Sequence, residues 1–178
     1  RMLELAAELG SDVPFLIHGG IALGTGRGER ITSAMARGSY HWVFALSDRG
    51  LSTPRVYAEC DRLRTGARVA EPVIPPALME ALLAGDAPRV GAELVNDLQP
   101  AAVSMRPELD LLLEIGRDAG ALGAVVSGSG PTCAFLVADD EALILSSLRG
   151  VLLQEGFEVT VASSGEQAWQ HFVKARPD

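Results

Sequence analysis

Three short segments hold residue types that can do chemistry. In Gly10-Ser11-Asp12-Val13-Pro14 the carboxylate of Asp12 lies between a glycine and a proline. A carboxylate fixed in this way can accept or orient the proton of a hydroxyl if a cation keeps it ionised. The competing reading is a turn aspartate that bonds its own backbone. In Ser127-Gly128-Ser129-Gly130-Pro131-Thr132 small residues expose successive backbone N–H groups, and a nest of these binds anionic oxygens. Here the competing reading is a tight connection in which Gly128 and Gly130 only permit positive φ. In Ser52-Thr53-Pro54, with Tyr57 four residues on, Thr53 and Tyr57 share one face of a helix start and can meet one ligand. The bland alternative is a cap and a core aromatic.

Other candidates point away from familiar sites. The 127–132 segment has no GK[ST] of a phosphate-binding loop and no GxGxxG leading into a helix. Gly24-Thr25-Gly26-Arg27-Gly28 reads as a hairpin connection with Arg27 exposed. His18, His41 and His171 are isolated, without metal-ligand spacing. Cys60 and Cys133 lie far apart in apolar surroundings, which predicts buried free thiols in a reducing cytoplasm.

The elements that must position these groups follow from periodicity. Residues 2–9 read as the end of a helix closed by Gly10. Phe15-Leu16-Ile17 and Ile21-Ala22-Leu23 read as two strands about Gly19-Gly20, with another strand near Arg30-Ile31. Trp42–Leu46 is a strand by its β-branched and aromatic content. A helix follows over Val56–Leu63, with Ser52 or Thr53 as N-cap and Pro54 in its first turn. After a linker over Pro72–Pro76, short helices are expected over Ala77–Leu83 and Pro88–Ala92, the second running on through Leu94–Leu98. Pro107–Ala119 is a helix with an apolar face of Leu109, Leu112, Leu113 and Ile115. Strands around Val125 and over Cys133–Val137, a helix over Glu141–Gln154 and a strand over Phe157–Ala162 complete an α+β sandwich with a mainly antiparallel sheet.

Composition bounds the rest. The 178 residues are 48% hydrophobic and 21% charged, as in a soluble globular chain. A net charge of -8 argues against a nucleic-acid partner, which calls for a basic face. No apolar run approaches the ~20 residues of a membrane helix, so no membrane partner is expected. Arg1 is not an initiator and a helical pattern is already under way there, so the chain is expected to begin inside a longer protein.

Taken in order, Leu9–Phe15, Gly19–Glu29, Leu51–Pro54, Asn96-Asp97-Leu98 with Pro107-Glu108-Leu109, and Ser127–Thr132 resemble the 4-diphosphocytidyl-2-C-methyl-D-erythritol kinases. The last segment resembles the third signature of the wider GHMP kinase superfamily, which includes homoserine and mevalonate kinases. The resemblance implies a fold of a GHMP kinase C-terminal domain, a ferredoxin-like α+β sandwich over 33–165. It would be preceded by the end of a ribosomal-protein-S5-like N-terminal domain over 1–32 and followed by a divergent tail over 166–178. It implies a cytoplasmic enzyme using ATP and Mg²⁺ to phosphorylate the 2-hydroxyl of a small-molecule substrate. Asp12 would be the catalytic base, Thr53 and Tyr57 would line the substrate site, and Gly128, Ser129 and Gly130 would shape its floor. The family's glycine- and serine-rich ATP loop has no counterpart here. Two rival readings are another GHMP kinase, such as homoserine kinase, and a non-catalytic fragment that binds a ligand or partner.

Overall fold

The computed structural model describes residues 2–47, 49–69, 71–138, 142–154 and 157–162. The tail expected over 166–178, and with it His171, lies outside the described residues.

The chain opens with helices α1 (Met2–Leu9) and α2 (Val13–His18), then a hairpin of β1 (Ala22–Thr25) and β2 (Arg30–Ser33). The hairpin pairs Ala22 with Ser33 and Thr25 with Arg30. Its turn carries Gly26 at φ 73° and Gly28 at φ 106°, a backbone region glycine tolerates best. The carboxylate of Glu29 accepts the Arg27 N–H at 2.7 Å and closes the turn. The expected connection is therefore present, with Arg27 exposed.

One expectation is overturned here. Phe15-Leu16-Ile17 is helical, not a strand. Pro14 sits in the first turn of α2, where its missing N–H costs nothing and its fixed φ suits the helix. The break before Val13 thus starts a second helix instead of an extended segment. His18 joins this helix to β2, its ring nitrogens meeting the Gly19 carbonyl at 2.8 Å and the Ser33 hydroxyl at 2.9 Å.

The rest of the chain is built on a four-stranded sheet. Its strands are β3 (His41–Leu46), β4 (Gly123–Val126), β5 (Cys133–Val137) and β6 (Glu158–Ala162), in the order β4-β5-β3-β6. All three pairings are antiparallel. This is the split β-α-β order of a ferredoxin-like sheet, in which β5 lies between the ends of one long crossover. That crossover holds α3 (Thr53–Leu63), α4 (Pro76–Ala84), α5 (Ala87–Ala92), α6 (Gln99–Met105) and α7 (Glu108–Asp118), and α8 (Ala142–Gln154) joins β5 to β6.

Alternation decides which side chains enter the core. Val43 and Ala45 of β3 are fully buried with Phe135 and Val137 of β5, against Leu109, Leu112 and Leu113 of α7 and Leu152 of α8. Each large apolar side chain in this layer contributes about 1.5–3 kcal/mol by leaving water. Gly116 of α7 leaves room for the Phe135 ring, which a Cβ there would strike. On the opposite sheet face Leu136 packs with Ala81 and Leu82 of α4 and Val90 of α5. A third cluster of Val56, Cys60 and Ala101 joins α3 to α6.

A second expectation also fails. Residues Leu94–Leu98 do not extend α5, which ends at Ala92. Asn96 turns its side chain onto the backbone, its Oδ1 accepting the Leu98 N–H at 3.0 Å. Pro100 then opens a helix, α6, that the sequence reading did not separate.

Candidate functional site

Thr53 is the first residue of α3, with Pro54 in the same turn. Ser52 is the N-cap in extended geometry, but its side chain makes no capping bond. The Thr53 hydroxyl reaches across instead to the Ser129 hydroxyl at 2.9 Å. The structure therefore brings two of the sequence-predicted segments together, the helix start and the glycine-rich loop. Tyr57, one turn further along α3, is 55% exposed. It is not a core aromatic.

The 127–132 loop is a tight turn closed by its own backbone. Ser127 N–H donates to the Thr132 carbonyl at 2.8 Å and Gly130 N–H to the Ser127 carbonyl at 2.9 Å. Gly128 and Gly130 adopt φ of 57° and 75°. Gly130 has a second reason to be glycine, since a Cβ there would come within 3.0 Å of Val126 Cγ1. The N–H groups of Gly128 and Ser129 have no protein partner among the described residues. Adjacent N–H donors without a protein partner are one requirement of an anion nest. The tight connection with positive-φ glycines is therefore present.

Asp12 is the N-cap of α2 and makes no side-chain capping bond. The turn-aspartate reading required that bond. The carboxylate is exposed and lies near the β1–β2 turn, where a Cβ on Gly28 would come within 3.9 Å of its Oδ1. No hydrogen bond or ion pair among the described residues joins Asp12 to Thr53, Tyr57 or the 127–132 loop.

Two residues that hold the loop carried no role in the sequence reading. Asn96 donates from Nδ2 to the Val126 carbonyl at 2.6 Å and the Gly128 carbonyl at 2.8 Å. Gln99 Oε1 accepts the Val126 N–H at 2.9 Å. The available signal was the polar pair itself, set in an apolar stretch just before Pro100. Among the described residues no group of three His, Cys, Asp or Glu is placed to hold a metal ion. Cys60 and Cys133 are both free and buried, as expected. Burial pushes the Cys133 thiol up to about 12, which keeps it protonated and unreactive.

A glycine turn, a helix start bonded to it and an exposed aromatic thus stand on an antiparallel ferredoxin-like sandwich. Residues 78–152 match the family model described as GHMP kinases C terminal, and the chain belongs to the GHMP kinase family. It is 61% identical over 151 residues to the 4-diphosphocytidyl-2-C-methyl-D-erythritol kinase of Thermobifida fusca, covering 84% of this chain and 48% of that protein. It is 48% identical over 174 residues to the protein of the same name in a Nocardioides species, covering 97% of this chain and 57% of that one. The chain thus spans about half the length of the curated relatives it matches. A crystal structure of 4-(cytidine 5'-diphospho)-2C-methyl-D-erythritol kinase superposes with a TM-score of 0.71 at 26% identity, over 93% of this chain and 57% of that one. The homoserine kinase of Cytophaga hutchinsonii shares the fold, with a TM-score of 0.62 at 20% identity over 85% of this chain and 50% of that one. No helix among the described residues is long and apolar enough to cross a membrane.

Proposed function

We propose that this chain is the C-terminal part of an ATP-dependent kinase that phosphorylates the 2-hydroxyl of 4-diphosphocytidyl-2-C-methyl-D-erythritol. The observation that carries the reading is the 61% identity over 151 residues with a kinase of that name. The bond between Thr53 and Ser129 supports it, because it sets the helix start and the glycine loop on one site.

Phosphoryl transfer needs in-line positioning and charge neutralisation more than covalent chemistry by the protein. Asp12 takes the proton of the attacking hydroxyl. Thr53 and Tyr57 hold the substrate, Tyr57 offering its exposed ring to a planar base. Gly128, Ser129 and Gly130 form the floor, with two backbone donors facing anionic oxygen. The described residues do not by themselves make a Mg²⁺ site, and a Mg²⁺ ion accompanying ATP is typically bound largely through phosphate oxygens and water. A division near residue 32 is supported by the packing of α1, α2, β1 and β2 on one another. Residues 1–32 would end the N-terminal domain and 33–165 would form the C-terminal domain of a cytoplasmic enzyme.

The test incubates the full-length gene product with ATP, Mg²⁺ and either 4-diphosphocytidyl-2-C-methyl-D-erythritol or homoserine. Phosphate transfer to the first and not the second is expected. Transfer to homoserine, or to neither, refutes the reading. Residues 1–178 alone carry no glycine- and serine-rich ATP loop, so calorimetric titration of that segment with ATP is expected to show no submicromolar binding.

A further inference from the structure

We propose that Asn96 is a positioning residue for the phosphoryl-transfer site, fixing the 127–132 loop in register with Thr53. The proposal deepens the kinase reading and rests on it for its activity readout.

Asn96 uses its whole amide. Its two Nδ2 protons go to the Val126 and Gly128 carbonyls, at 2.6 and 2.8 Å, and its Oδ1 accepts the Leu98 N–H at 3.0 Å. Two carbonyls and one N–H admit only this orientation of the amide, since the reverse would face oxygen to oxygen and N–H to N–H. The two carbonyls flank Ser127, one at the end of β4 and one at the first glycine of the loop. A donor pair gripping both sets the angle at which the chain leaves the strand. That angle fixes where the free N–H groups of Gly128 and Ser129 stand.

The residue next to Asn96 is tied to α3. The Asp97 carbonyl accepts Cys60 Sγ at 3.8 Å and Arg64 Nη2 at 3.5 Å, and its carboxylate lies 3.4 Å from the same guanidinium. The other end of α3 is Thr53, bonded to Ser129. These contacts close a circuit that runs from Thr53 through Ser129 and Gly128 to Asn96, then through Asp97 and Arg64 back along α3. Loop and helix therefore keep one spacing, and Asn96 is the link that sets it. Strand β4 is already held by its pairing with β5 and by Gln99. Losing Asn96 thus frees the loop more than the core.

The test compares wild type, Asn96→Asp and Val90→Ala in the full-length protein. Asn96→Asp keeps size and the acceptor for Leu98 while setting a carboxylate against two carbonyls. Val90→Ala removes core packing on α5, away from the loop. Asn96→Asp is expected to lower kcat by about 10- to 100-fold, the scale of a misplacement near 1 Å. It is also expected to speed amide exchange at Ser127 and Gly130, the loop's own bonded donors. Val90→Ala should lower the melting temperature while leaving kcat and those two amides near wild type. The proposal is overturned if folded Asn96→Asp retains kcat within twofold, if its loop amides exchange as in wild type, or if Val90→Ala matches its loss of kcat. If Asn96→Asp does not fold, Asn96→Ser, too short to span both carbonyls and uncharged, takes its place under the same criteria. If the wild type does not phosphorylate the diphosphocytidyl substrate, the kinase reading fails, and the amide-exchange comparison alone decides the clamp.

Discussion

The hydroxyls of Thr53 and Ser129, 76 residues apart in sequence, lie 2.9 Å apart. Neither segment fixes this alone. Ser129 arrives because β4 and β5 are paired and the loop between them is gripped from the 96–99 turn. Thr53 arrives because α3 packs on α6 through Val56, Cys60 and Ala101.

That pair makes a coupled prediction. Thr53→Val and Ser129→Ala should each raise KM for the acceptor by about 3- to 10-fold, the scale of one net hydrogen bond. The double variant should lose less than the product of the two single effects, because the bond is broken once either partner is gone. Steady-state kinetics of the four proteins close the cycle. Fully multiplicative losses would mean that the two hydroxyls act independently.

Asp12 carries the sharpest test of chemistry. Its carboxylate makes no capping bond at the start of α2, so replacing it by the near-isosteric Asn should hardly move the melting temperature. If it is the general base, Asp12→Asn lowers kcat of the full-length protein by about 10²–10⁴-fold. Single-turnover kinetics beside melting curves read both quantities. Activity within about threefold of wild type would leave Asp12 without a proton-transfer role, since a lost base costs far more.

Much of this arrangement was legible in the sequence, for identifiable reasons. The strands over Trp42–Leu46 and Cys133–Val137 announce themselves by apolar content, and α7 by Leu109, Leu112 and Leu113 at helical spacing. The glycine turn is legible because small residues in a row have few uses. Phe15-Leu16-Ile17 misleads because three apolar residues have no period, and only the tolerance of Pro14 in a first helical turn decides for helix. Leu94–Leu98 misleads because Asn96 bonds to carbonyls 30 and 32 residues away. No local pattern encodes a side chain whose partners lie on a distant strand.

Glu59 gives a prediction in pH. Its carboxylate accepts from Arg62 Nε and Nη2, at 2.6 and 2.7 Å, and from the Ser104 hydroxyl at 2.6 Å. The Arg62 bonds, then Ser104, lower it from its ordinary value of 4.5 to about 2. A depressed carboxylate lends stability that is fully present above 4.5 and lost as pH falls through about 2. Its partner Arg62 is exposed to solvent, which screens the pair and keeps its contribution small. Melting curves taken from pH 6 down should therefore show a shallower acid limb for Glu59→Gln than for wild type in this window. Identical slopes would remove the Arg62–Glu59–Ser104 cluster from the acid response.

Gly91 and Gly123 test the packing that sets the start of β4. The two approach backbone to backbone, and a Cβ on Gly91 would fall on the Leu122 carbonyl while one on Gly123 would fall on the Gly91 carbonyl. Neither glycine has positive φ, so Ala fits the backbone conformation at both and the penalty is one of space alone. In Gly91→Ala the added methyl meets main chain, which cannot swing aside as a side chain would. The helix must lift from the sheet, loosening Val90 from Leu136 in the cluster on that face. Overpacking of this kind costs about 1–3 kcal/mol or more. Against it, Ala removes backbone freedom from the unfolded chain and raises helix propensity inside α5, gains of about 0.4–1 kcal/mol. The steric cost is the larger, so denaturant melts should show Gly91→Ala less stable than wild type, with Gly123→Ala similarly affected because it strikes the same contact. The double variant should cost no more than about the worse single one, since lifting α5 once makes room for both methyls. A Gly91→Ala protein as stable as wild type would mean that α5 shifts freely over β4 and does not fix its start.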